Sequence, residues 1–76
     1  VEASIKQRTA IDYLEKNDML YSLPQELLTA ALLRKENPDA TLKELCRLSA
    51  ESLTISGLNH RLGKIIDIYN SLTQEK

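Results

Sequence analysis

Residues 41–64 read TLKELCRLSAESLTISGLNHRLGK, and the folding of this stretch decides the architecture of the whole chain. Thr41 is followed three residues later by Glu44, the spacing of a capping box, so a short helix is expected over about Leu42 to Ala50. Leu42, Leu45, Cys46 and Ser49 share one side of it, and Leu48 flanks them. Residues 51–55 form a connection whose Leu53 and Ile55 predict a packed turn. Ser56 is expected to N-cap a longer helix ending near Leu72, with Leu58, Leu62, Ile65, Ile66, Tyr69 and Leu72 on its apolar face. A short capped helix, a packed turn and a longer helix with a polar N-terminal half make a helix-turn-helix pattern. Cys46 stands mid-way along the first of the two helices, where a small residue lets the second cross closely.

Upstream, the same periodicity predicts two more helices. The first runs from about Ala3 to Asn17, with Ala3, Ala10, Ile11 and Leu14 on one face, Gln7 between them, and Asn17-Asp18 as its stop. The second is announced by Ser22-Leu23-Pro24-Gln25, with Ser22 read as N-cap and Pro24 in the first turn, and continues to about Glu36. Its apolar arc of Leu27, Leu28, Ala31, Leu32 and Leu33 is wide enough to place it centrally. Asn37-Pro38-Asp39-Ala40 breaks it. Met19 and Tyr21 are expected to pack between the two helices. The chain is therefore expected to be all-α, a small four-helix bundle in one domain: residues 1–22 the leading helix and connector, 23–40 the second helix and loop, 41–72 the helix-turn-helix.

Composition agrees. In 76 residues with 42% hydrophobic side chains, no Phe or Trp and three Tyr, the core must be Leu, Ile and Ala, which suits helix packing. No apolar run approaches the roughly 18 residues of a membrane span. The chain begins at Val1, and is read as a piece of a longer protein. Cys46 is the single cysteine, which excludes an intramolecular disulfide, makes a cysteine-based zinc site untenable and fits a reducing cytoplasmic setting. The net charge is −1, unlike a generic polyanion binder. It is unevenly spread: residues 1–40 hold five basic against seven acidic side chains, and residues 41–66 hold four against two. The surplus in the second half fits phosphate contact.

With Leu58 and Leu62 inward, Ser56, His60, Gly63, Lys64 and Asp67 point away from the core, and Asn59 and Arg61 lie on the flanks. A helix entering a major groove carries its hydrogen-bonding side chains in this way, in its first two turns. Asn pairs with adenine and Arg with guanine through two bonds each. Gly63 leaves a gap for close approach, and the N–H groups after Ser56 are candidate phosphate donors. Lys43 and Arg47, on the preceding helix, are candidate phosphate contacts. The same side chains also suit an ordinary solvated face. Catalysis and metal binding find no support: His60 is the single histidine, Cys46 faces inward, and Ser49, Ser52 and Ser56 lack an acid–base partner.

Three strings resemble the C-terminal domain of the WhiA family: LPQEL at 23–27, ENPDATLKEL at 36–45 and SGLNHRL at 56–62. The resemblance spans about Leu23 to Ile66. It implies a helix-turn-helix of the WhiA C-terminal or sigma-factor region 4 type, in a bacterial transcriptional regulator linked to sporulation or cell division. It further implies a larger homing-endonuclease-like domain upstream of Val1, and a nucleoid-associated place in the cytoplasm. Cys46 and Ala50 stand where the family favours glycine, and Ile55 and Gly63 where a basic residue is common. The expected function is thus sequence-specific binding of double-stranded DNA, without enzymatic activity or cofactor. The recognition helix would be 56–72, and the contacts Ser56, Asn59, His60, Arg61, Lys64, Lys43 and Arg47. The alternative is a protein-interaction module that docks on RNA polymerase or on the protein's own N-terminal domain.

Overall fold

The computed structural model describes residues 2–49 and 53–74, with side chains from Ile5 onward. Among these residues lie four α-helices, α1 (Glu2–Lys16), α2 (Gln25–Glu36), α3 (Leu42–Leu48) and α4 (Ile55–Thr73), and one 3-10 turn at Leu20–Ser22. No strand occurs among the described residues. The all-helical expectation holds. The expected end of the third helix at Ala50, residues 51 and 52 of the connection, and the inward position of the Ala3 side chain lie outside what is described.

α1 buries Gln7, Ala10, Ile11 and Leu14, the expected face. It stops at Asn17-Asp18, as its sequence implies. Asp18 takes a left-handed conformation (φ 58°), its amide bonds the Glu15 carbonyl at 3.1 Å, and the Met19 amide bonds that of Leu14 at 2.8 Å. This pair of bonds is a Schellman closure, with aspartate where glycine is usual. The reversal sends Leu20 into the core through the 3-10 turn, while Tyr21 stands 70% exposed. Met19 packs on the core as expected, but Tyr21 does not.

Ser22 does not cap α2. It belongs to the 3-10 turn, and Leu23 follows in extended conformation (φ −68°, ψ 152°), the geometry forced on a residue before proline. Pro24 itself takes the cap position, with no side-chain bond. α2 touches every other helix, as its wide arc predicts, and so does α4; α1 and α3 have no close backbone approach. Leu45, Leu58, Leu62 and Ile65 complete the core with Ala30 and Ala31. Tyr13 and Tyr69 meet edge to face across α1 and α4, ring centres 5.3 Å apart. The apolar face of α4 ends sooner than expected: Leu72 is exposed, beyond the last packed residues Ile68 and Tyr69.

One buried charge holds the α2–α3 junction. Arg34 is 2% exposed. Its Nε donates to Gln7 Oε1 at 3.0 Å, and its Nη1 reaches the carbonyls of Ala40 at 2.7 Å and of Asn37 and Pro38 at 3.3 Å. Burial lowers the Arg34 pKa from its ordinary value, with Arg8 adding repulsion, yet guanidinium stays charged at neutral pH. The carbonyls it gathers belong to the loop just before Thr41. The capping box there is complete: Glu44 N–H donates to Thr41 Oγ1 at 3.1 Å, and Thr41 N–H to Glu44 Oε1 at 2.9 Å.

Candidate nucleic-acid interface

The start of α4 is set by Thr54 rather than Ser56. Thr54 is extended (φ −86°, ψ 162°), and its Oγ1 accepts the Gly57 N–H at 2.9 Å, while its carbonyl accepts the Leu58 N–H at 2.9 Å. Ser56 therefore sits inside the first turn with its side chain exposed, and the amides of Gly57 and Leu58, expected to be free for a phosphate, are engaged. A Cβ on Gly57 would stand 3.1 Å from Thr54 Oγ1, so the cap itself favours glycine there.

Beyond the cap, α4 divides cleanly. Leu58, Leu62 and Ile65 are fully buried, whereas Ser56, Asn59, His60, Lys64 and Asp67 are exposed. Asn59, His60, Gly63, Lys64 and Asp67 line one shallow concavity along the outer side. Arg61 is set apart from them. It is half-buried on the flank facing α2, where its Nη1 lies 3.4 Å from the Glu26 carbonyl. Lys43 and Arg47 are exposed on α3. The structure thus gathers Asn59, His60 and Lys64 on one strip and leaves Arg61 to its side.

Cys46 is half-buried against the core rather than fully enclosed. Ile55, read as part of the connection, is the first residue of α4 and is 48% exposed; Leu48 is exposed on the other side of the turn. Among the described residues no three His, Cys, Asp or Glu side chains converge on a metal-sized site. Among the described residues no helix is long and apolar enough to cross a membrane. Sequence reasoning missed Thr54 and Arg34. The Thr54-x-x-Gly57 spacing was available as a signal for the first, and the 27–31–34 helical spacing for the second.

Comparison with known proteins settles the family. The family model described as the WhiA C-terminal HTH domain matches residues 1–69. The chain belongs to the WhiA C-terminal HTH domain family. Its curated relatives include proteins named probable cell division protein WhiA. That of Oenococcus oeni is 38% identical over 76 residues, covering 99% of this chain and 24% of the relative. That of Lactococcus lactis subsp. lactis is 43% identical over 72 residues, covering 95% and 24%. That of Alkaliphilus oremlandii is 41% identical over 76 residues, covering 100% and 24%. The chain therefore spans about a quarter of the length of these relatives. No solved structure matches significantly. Membership of this family identifies a non-enzymatic regulator domain and agrees with the resemblance carried by the NPDA-TLKEL and SGLNHRL strings.

Proposed function

We propose that this domain is the sequence-specific DNA-binding module of a WhiA-like bacterial transcriptional regulator, working beside the DNA in the cytoplasm and tethered to a larger N-terminal domain. α4 is the recognition helix. The observation that carries the reading is the strip of Asn59, His60 and Lys64 on the outer side of α4, exposed just beyond a capped start and behind a helix bearing exposed Lys43 and Arg47. No acidic residue interrupts α4 before Asp67. Ser56, Asn59 and His60 are assigned to base edges, and Arg61, Lys64, Lys43 and Arg47 to phosphates. The contact of Arg61 with the Glu26 carbonyl orients its guanidinium to the side of the strip, which suits a strand backbone.

Phosphate contacts release counterions, so binding must weaken steeply with salt. Replacing Lys64 with alanine should weaken binding to all sequences alike and lower the salt slope by about one. Asn59→Ala should instead cost about 1–3 kcal/mol on the preferred site alone. The measurement is a titration of the chain with a random-sequence duplex pool and with the site selected from it. Because the net charge is −1, affinity of the domain alone should be modest and rise when a second DNA-contacting domain is attached. That same charge balance favours one other reading, docking on RNA polymerase or on the N-terminal domain. Binding that is flat in salt and insensitive to Arg61→Ala and Lys64→Ala would select it.

A further inference from the structure

We infer that Ile55 reads the 5-methyl group of a thymine, next to an adenine read by Asn59; the inference rests on the DNA-binding reading above. Ile55 is the first residue of α4 and is 48% exposed. The fold covers the other half of its surface, so the side chain is held while an aliphatic face stays in water. The helix itself does not call for isoleucine there. A β-branched side chain is a weaker helix former than a straight one. The cap is made by Thr54, whose Oγ1 accepts the Gly57 N–H and whose carbonyl accepts that of Leu58. Two amides that would draw a phosphate to this end of the helix are thereby engaged.

One exposed isoleucine is ordinary on a protein surface; what distinguishes Ile55 is its place. A helix that enters the major groove by its N-terminus brings its first residues to the base edges. Those edges offer donors, acceptors and one apolar group, the thymine methyl. The Ile55 side chain has no donor, acceptor or charge, so the methyl is the feature of the groove that it matches. A basic residue, common at this position in the family, would reach for a phosphate instead, so the methyl contact is a preference of this chain. The next turn agrees in chemistry. Asn59 is exposed, four residues on, about 6 Å along the axis and about 40° around it. Asparagine pairs with the N6 and N7 of adenine. With base pairs about 3.4 Å apart, Ile55 and Asn59 fall on pairs one or two steps from each other. Leu48 is also exposed, but it ends α3, the helix that crosses the strand backbone, and is assigned no base.

The test removes the methyl from the DNA and the side chain from the protein. In the site selected from the random-sequence pool, each thymine is replaced in turn by uracil, which lacks only the 5-methyl group. One replacement should weaken binding of the unaltered chain about fourfold, the equivalent of one buried carbon group. Ile55→Ala should bind the thymine site about fourfold more weakly and be indifferent to uracil at that position. Ile55→Lys should be equally indifferent and steepen the salt slope by about one. Leu48→Ala should keep the full sensitivity. A selected site without thymine, or one in which no uracil replacement matters, would overturn the inference. So would an Ile55 variant that still loses the same factor at that thymine, or loss of the effect in Leu48→Ala, which would move the contact to α3. The uracil series on the unaltered chain is independent of how well any variant folds. If the unaltered chain binds neither the pool nor any site drawn from it, the DNA reading has failed. A chain that binds its selected site but ignores uracil defeats the methyl contact alone.

Discussion

The two ends of the helix-turn-helix treat polar groups in opposite ways. At the α2–α3 junction, Arg34 is enclosed and its guanidinium meets the Gln7 side chain and three loop carbonyls. On the outer side of α4, Asn59, His60 and Lys64 face solvent. The first arrangement keeps its hydrogen-bonding capacity inside the fold, and the second leaves it to solvent. Charge alone does not distinguish them, since both contain cations. What distinguishes them is whether the neighbouring backbone has oxygens that need a donor. The carbonyls after α2 do, because the helix has ended and Pro38 supplies no N–H. Along the middle of α4 the helix satisfies its own carbonyls, so outward side chains have no internal task.

The contrast breaks most visibly at Arg34. Arg34→Ala should destabilise the domain by about 3 kcal/mol, because several buried acceptors lose their donor together. Asn59→Ala and His60→Ala should stay within about 0.5 kcal/mol of the unaltered chain. Urea denaturation measures both, and equal effects would dissolve the distinction. Thr54→Ala should cost about 1 kcal/mol, the value of an N-cap, while Ser56→Ala should cost almost nothing. That pair sharpens the boundary between cap and exposed face by two residues. The smallest effect belongs to the exposed ion pair of Lys35 with Glu15. The hydrogen bond to Glu15 raises the Lys35 pKa above 10.5. A raised base stabilises below its unfolded pKa and loses that contribution as the pH climbs through the folded one. The contribution is thus present at neutral pH, but an exposed pair is worth so little that Glu15→Gln should leave stability there unchanged within error.

The helices were legible because their signals are local. Apolar residues recur at helical spacing, and Thr41 with Glu44 and Asn17 with Asp18 punctuate the chain within a few residues. The errors arose where a local rule had two answers. Thr54 and Ser56 are both good caps, and the sequence does not say which of them will meet the amide two or three residues on. Ser22 met every requirement of a cap except the extended residue that Pro24 imposes before itself. Arg34 was harder still. One of its partners lies 27 residues upstream, and the others are main-chain oxygens, which have no letter in the sequence. The exposure of Tyr21 and Leu72 likewise depends on where neighbouring elements stop. At the candidate interface, the outward side of α4 was legible from Leu58 and Leu62 alone. The sideways turn of Arg61 was not, since it depends on the Glu26 carbonyl of another helix.

The Tyr13–Tyr69 contact has an optical consequence. The chain has no tryptophan, so its near-ultraviolet signal comes from three tyrosines. Two of them are locked against each other between α1 and α4, and the third, Tyr21, is largely in water. An aromatic ring acquires strong circular dichroism only when its surroundings are asymmetric and fixed. The near-ultraviolet band should thus report the α1–α4 seam almost alone. Tyr69 lies nine residues beyond His60, about 13 Å along the helix, and on its packed side. Once the spectrum of the DNA itself is subtracted, DNA added to the outer side of α4 should leave that band unchanged, while any loosening of α1 will erase it.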